Sequence, residues 1–137
     1  MNVIVQLHFF NLYLILAAGL VAGVWGLILF FTKRSMNRPW QIALIVAAAA
    51  GVLQGILGVI LVLMGKQPDG GTSLYYLHYV YGGIVVLALP VAITYATNGK
   101  NPRRDILIFS LAALVLFAAG FRGWMTGPGY WPSWLPS

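Results

Sequence analysis

Four long apolar stretches, separated by short polar turns, make up most of the chain. They cover about residues 3–31, 40–64, 74–97 and 105–124. Each is long enough for a membrane-spanning helix, which needs about 20 mostly apolar residues. The turns combine Asn, Gly and Pro with basic residues, a composition that ends one helix and begins the next. The pattern predicts a single all-α domain, an integral membrane four-helix bundle, followed by an interfacial tail at 125–137.

The composition supports this class and excludes several others. Of the 137 residues, 61% are hydrophobic and only 7% are charged, whereas soluble domains carry about a quarter charged residues. The net charge of +6 comes from eight scattered basic residues. They form no stripe that could track a phosphate backbone, so no nucleic-acid partner is expected. The absence of Cys excludes disulfides, thiol catalysis and Cys-ligated metal sites.

The basic residues also predict the orientation of the helices. Six of the eight Lys and Arg lie in the first and third loops: Lys33, Arg34, Arg38, Lys100, Arg103 and Arg104. The positive-inside rule makes that face cytoplasmic and places both termini outside, as expected in a prokaryotic inner membrane. An interfacial aromatic belt is predicted at the outer rim, formed by Tyr75, Tyr76, Trp124, Tyr130, Trp131 and Trp134.

Few side chains inside the predicted spans can carry chemistry. No Asp, Glu or Lys lies within an apolar stretch, and Asp105 is expected where the fourth helix begins. A proton-coupled carrier normally needs an intramembrane carboxylate, so the pattern argues against carriers and against acid–base enzymes. Besides tyrosines, the polar side chains that remain are His8, Asn11, Gln54, His78 and Arg122.

The only two histidines are expected at matching depth. His8 lies near the start of the first helix and His78 near the start of the third. These helices run in the same direction, so both imidazoles lie about 6–8 Å below the outer surface at 1.5 Å per residue. Two imidazoles that face each other across a bundle suit axial ligation of a haem. Alternatively they hydrogen-bond to neighbouring helices, or Met64 or Met125 replaces one of them as a ligand.

Arg122, Gln54 and several glycines complete the candidate site. Arg122, near the outer end of the fourth helix, either binds a haem propionate or snorkels to lipid headgroups. Gln54 either hydrogen-bonds across helices or contacts the edge of a porphyrin or quinone. The stripes of small residues, with Gly58 in one of them and Gly55 beside it, either make the bundle compact or leave room for a flat cofactor. Gly82 is expected one turn beneath His78.

Two segments and the first histidine carry a family resemblance. Residues 53–62 read Leu-Gln-Gly-Ile-Leu-Gly-Val-Ile-Leu-Val, and residues 77–83 read Leu-His-Tyr-Val-Tyr-Gly-Gly. With His8 and the run at 20–26 upstream, they resemble one four-helix half of the haem A synthases over about residues 5–97. The resemblance implies that His8 and His78 are paired ligands of one haem b.

The departures from that family change the expected function. In the family a Glu precedes the first His and an Arg follows it, but Leu7 and Phe9 stand here. Haem A synthesis is therefore not expected, and a single half has no second haem. The chain is predicted to be a small b-type cytochrome that transfers electrons rather than an enzyme. A quinol, a periplasmic carrier or a larger membrane complex would be its partner. The alternative is a cofactor-free accessory subunit of a respiratory or photosynthetic complex.

Overall fold

The computed structural model describes residues 3–65 and 76–126. All regular secondary structure within these ranges is helical. The helices are α1 Val3–Phe31, α2 Arg38–Leu63, α3 Tyr76–Tyr95 and α4 Pro102–Thr126. All four are long and apolar enough to cross a membrane, and residues 3–65 and 76–126 contain no strand. The predicted all-α membrane bundle is confirmed, and the chain is an integral membrane protein. Residues 127–137 of the predicted tail, with Tyr75 and the loop around Lys66, lie outside the described residues.

Side-chain caps set the starts of α2 and α4, both earlier than expected. Asn37 precedes α2, and its side-chain oxygen accepts a hydrogen bond of 2.8 Å from the Trp40 N–H. Asn101 precedes α4 and accepts one of 3.1 Å from the Arg104 N–H. Each cap satisfies a backbone donor of the first turn. The helices therefore begin at Arg38 and Pro102 rather than near 40 and 105.

Asp105 lies in the first turn of α4, at the start of the helix as expected, and it also has a role that the sequence did not predict. Its side chain is only 2% exposed. Its carboxylate accepts hydrogen bonds from the Thr97 N–H at 2.7 Å, the Thr97 hydroxyl at 2.9 Å and the Gly99 N–H at 3.1 Å. A buried carboxylate therefore does occur in the bundle, where it holds the turn between α3 and α4.

The four helices pack with α1 diagonal to α3. Both α2 and α4 contact each of these two helices, whereas over their described lengths no Cα atom of α1 lies within 8 Å of one in α3. Small and branched apolar side chains fill the centre: Ile15, Ala47, Ala50, Val85, Leu89, Leu116 and Ala119. Trp40 fills the end of the bundle near the α1–α2 loop, where its Nε1–H donates to the Ala22 carbonyl at 2.9 Å.

Glycines let the helix backbones approach one another closely. A Cβ atom on Gly51 would lie 2.8 Å from the Val85 carbonyl oxygen of α3. One on Gly19 would lie 3.1 Å from the Ala113 carbonyl oxygen of α4, and one on Gly26 would collide with the Ser110 hydroxyl. These contacts support the packing interpretation of the small-residue stripes in α1 and α2.

Substitution of Gly51 by Ala tests this close approach. The added methyl group meets a backbone oxygen that cannot turn away, so α2 must move from α3, at a cost of about 1–3 kcal/mol. Gly51→Ala should therefore lower the thermal unfolding midpoint in detergent. Gly83→Ala is the matched control, because a Cβ at Gly83 meets nothing within 4 Å. Equal midpoints for the two variants would contradict the packing role.

Candidate cofactor site

The two histidines face each other across the diagonal of the bundle. The ring centroids of His8 on α1 and His78 on α3 are 6.1 Å apart, and the ring planes are inclined by 61°. Because the backbones of these two helices are well separated, the imidazoles bridge a gap that no helix-to-helix contact fills. The structure thus brings together the two side chains that the sequence singled out, although their role as ligands stays a prediction.

A hydrogen bond to α4 orients the ring of His78. Its Nδ1 atom lies 2.9 Å from the carbonyl oxygen of Gly123. A carbonyl oxygen can only accept, so Nδ1 carries the proton of this bond. Nε2 of a neutral His78 then keeps its lone pair, which is the form of imidazole that binds a metal. The same arrangement, with one nitrogen donating to a carbonyl, orients metal-binding histidines in general.

Gln54 holds the backbone of His8. The Gln54 side-chain N–H donates to the His8 carbonyl oxygen at 2.8 Å. The Nδ1 atom of His8 is buried and has no hydrogen-bond partner among the residues the structure describes. A buried nitrogen of this kind normally finds a partner, so Nδ1 is the ring atom of His8 that a bound ligand would satisfy.

An amide pair joins α1 to α2 next to His8. Asn11 donates one hydrogen bond to the Gln54 side-chain oxygen at 2.9 Å and another to the Ala50 carbonyl at 2.8 Å. Gln54 therefore links the helices, the first of its two predicted roles. Asn11 is 8% exposed, and its sequence position alone predicts no specific role for it. Asn11 follows His8 by three residues and so lies on the same helix face. That spacing could have predicted that Asn11 lies next to the histidine site.

The three predicted glycines have different surroundings. A Cβ atom on Gly58 would lie 3.6 Å from Cε1 of His8, so this glycine faces the imidazole. One on Gly82, a single turn beyond His78, would meet nothing within 4 Å. One on Gly55 would collide with the side chain of Val86. Gly58 thus borders the ring of His8, Gly82 has open space beside it, and Gly55 packs α2 against α3.

Arg122 lies beside the segment that holds His78. It immediately precedes Gly123 in α4, and its Cζ atom is 5.8 Å from the centroid of the Tyr81 ring. The side chain is exposed, a position compatible with either predicted role, binding to a carboxylate or extension to the headgroups. Met64 follows the end of α2 and is exposed, and the side chain of Met125 lies outside the described part of the chain.

The two imidazoles have the donor type and spacing that two ligands of one haem iron need. In the described ranges, no group of three or more His, Cys, Asp or Glu side chains could hold an ion. Protein sites for bare Zn²⁺ use at least three such ligands, whereas a porphyrin leaves only axial positions to the protein. With metal–nitrogen bonds of about 2 Å and ring centroids about 1.1 Å behind each nitrogen, collinear imidazole ligands have centroids about 6 Å apart. The observed spacing agrees with that value.

Comparison with known proteins adds no relative. No protein-family model, curated protein or solved structure matches this chain. The resemblance to haem A synthases therefore stays a prediction that rests on the motif residues.

Substitution of Gln54 tests the link between α1 and α2. Gln54→Leu has a similar volume but removes the bonds to Asn11 and to the His8 carbonyl. Interhelical hydrogen bonds in membranes are each worth about 0.6–2 kcal/mol, so the thermal midpoint in detergent should fall. Leu53→Val, at the exposed neighbouring position, should leave it nearly unchanged. A Gln54→Leu protein as stable as the Leu53→Val protein would show that the link contributes nothing.

Proposed function

We propose that this protein is a small b-type membrane cytochrome that binds one haem b between His8 and His78 and transfers single electrons. The observation that carries the proposal is the pair of imidazoles, 6.1 Å apart across the bundle diagonal. The hydrogen bond from His78 to Gly123 supports it, because it leaves the other ring nitrogen free to bind iron. The bound haem would supply a centre that gains and loses one electron.

The chemistry of the pair favours electron transfer over catalysis. Two histidine ligands would leave no open position on a haem iron for a substrate. Below the rings, Leu12 and Ile15 of α1 and Leu116 of α4 are buried. These apolar side chains exclude water and keep the surroundings of the haem low in dielectric.

Arg122 is the proposed partner of the haem propionates. A guanidinium forms two parallel hydrogen bonds with a carboxylate, a geometry that a lysine cannot reproduce. Its position beside Gly123, next to the Tyr81 ring, places it on the α3–α4 side of the histidine pair. Propionates directed there would point to the outer rim of the bundle.

The proposed location is a prokaryotic inner membrane with both termini outside. The loops at the α1–α2 and α3–α4 ends carry six of the eight cations, which the positive-inside rule assigns to the cytoplasm. The histidine pair then lies toward the outer surface. A quinol, a periplasmic electron carrier or a larger membrane complex would exchange electrons with it there.

An absorption spectrum tests haem binding. The full chain, expressed with ample haem and purified in detergent, should show a Soret band and sharp visible bands after reduction by dithionite. His8→Ala and His78→Ala should each lose or strongly weaken these bands, because each removes an axial ligand. Added imidazole should restore them in part. Gln41→Ala, exposed near the inner end of α2, should retain them fully.

Two results would contradict this proposal. A folded protein with no Soret band after haem-replete expression would instead favour the cofactor-free accessory subunit. A band that survives the His8→Ala and His78→Ala double substitution would place the ligands elsewhere, for example at a methionine.

Cysteine labelling tests the orientation, and the chain contains no Cys that would interfere. Ser35 lies in the exposed α1–α2 loop, and Gln67 lies in the segment that connects α2 to α3. In intact cells a membrane-impermeant maleimide should label Gln67→Cys but not Ser35→Cys. Permeabilised cells should show labelling at both positions. The reverse pattern in intact cells would place both termini inside.

A further inference from the structure

A groove runs between α3 and α4 on the outside of the bundle, away from the histidine pair. Its volume is about 340 Å³. Small side chains form its floor, Ala88 and Ala92 of α3 and Ala112 of α4, and Val91 and Leu111 form its walls. The two wall residues are 45% and 49% exposed, whereas Ala92 is buried. The groove therefore opens to the bilayer and not into the core.

The groove has the shape of a short apolar channel along the two helices. Its α3 residues lie at 88, 91, 92 and 95, and its α4 residues at 104, 108, 111 and 112, a spacing that places each set on one helix face. The channel extends about 10 Å along α3 at 1.5 Å per residue. Sites for small molecules have volumes of about 300–1,000 Å³. The groove is thus large enough for a segment of one acyl chain but too small for a whole lipid.

The mouth of the groove is polar, unlike the rest of its lining. Tyr95, at the end of α3, and Arg104, in the first turn of α4, lie at the end next to the α3–α4 loop. Both side chains are exposed. Within residues 3–65 and 76–126, neither the Tyr95 hydroxyl nor the Arg104 guanidinium forms a hydrogen bond or a salt bridge. Both groups are therefore available to a ligand.

The charge of Arg104 has no carboxylate in contact with it. Asp105 is the only acidic residue in the described ranges, and its oxygens already accept three hydrogen bonds from the α3–α4 turn. The neighbouring cation, Arg103, points to α1, where its Cζ atom lies 4.2 Å from the centroid of the Phe30 ring. Arg104 is therefore the cation of this turn that faces the groove, and its counter-charge must come from outside the protein.

We propose that the groove binds one anionic phospholipid, with an acyl chain in the channel and the phosphate on Arg104. A guanidinium binds a phosphate through two parallel hydrogen bonds, and the Tyr95 hydroxyl can donate a third. Basic pockets between membrane helices are sites of this kind for anionic headgroups. The other five basic residues of the same two loops strengthen the attraction. The site needs neither histidine and no bound haem.

Native mass spectrometry of the full-length protein in detergent tests this site. Phosphatidylglycerol and phosphatidylcholine with identical acyl chains are titrated separately, and the fraction of protein that carries one lipid is recorded. Wild type should bind phosphatidylglycerol roughly fivefold more tightly, the effect expected of one cation near an anionic headgroup. Inorganic phosphate, added as a competitor, should not displace the lipid because it has no acyl chain.

Two matched pairs of variants separate the site from general attraction. Arg104→Gln should lose most of the preference for phosphatidylglycerol, whereas Arg38→Gln, which removes an exposed charge from the same end but outside the groove, should keep it. Val91→Phe narrows the channel and should weaken the binding of both lipids severalfold. Val46→Phe, at a similarly exposed position of α2 that is 41% exposed, should bind them as wild type does.

Four results would overturn the inference, and each has its own meaning. Equal affinity of wild type for the two lipids would show that the headgroup charge is not recognised. Equal losses in Arg104→Gln and Arg38→Gln would indicate diffuse attraction without a site. Displacement of the lipid by inorganic phosphate would indicate a site for free anions. A lipid-free dimer that Val91→Phe abolishes would show that a second copy of the chain covers the groove.

Discussion

Close contact between helix backbones is the constraint on which the rest of this bundle depends. Helices in a bilayer gain no hydrophobic free energy by packing together, because acyl chains are as apolar as their side chains. Here the missing side chain of Gly51 lets α2 approach the Val85 carbonyl of α3, and that of Gly19 lets α1 approach the Ala113 carbonyl of α4. Both contacts lie below the histidines, about 10–16 Å along the helices at 1.5 Å per residue. These contacts fix the positions of the helices that carry the two imidazoles.

Hydrogen bonds then divide the bundle into two helix pairs. Gln54 and Asn11 tie α1 to α2 next to His8, and the bond from the His78 ring to Gly123 ties α3 to α4. Each histidine therefore belongs to a different pair. The distance between the rings depends on how one pair sits against the other, rather than on any bond between α1 and α3.

The sequence predicted those features of the fold that depend only on distance along the chain. Apolar length defined the four spans, and the fixed helical rise put His8 and His78 at the same depth. It did not predict the contacts that depend on rotation about a helix axis. Examples are the carbonyl that accepts the hydrogen bond of the His78 ring and the packing of Gly55 against Val86. The position of Asp105 in the first turn of α4 was predicted, but its burial was not, because its hydrogen bonds reach back to Thr97 and Gly99 in the preceding turn. No helical periodicity reveals such a contact.

The diagonal placement of the histidines has a consequence for biogenesis. During synthesis α1 enters the membrane first, but its imidazole has no counterpart until α3 has also been inserted. The carbonyl that orients His78 belongs to Gly123, near the end of α4, and arrives later still. A cofactor held by both rings cannot be captured by a nascent or truncated chain. Cofactor loading would therefore report that all four helices are in place, so that cells could distinguish finished copies from incomplete ones.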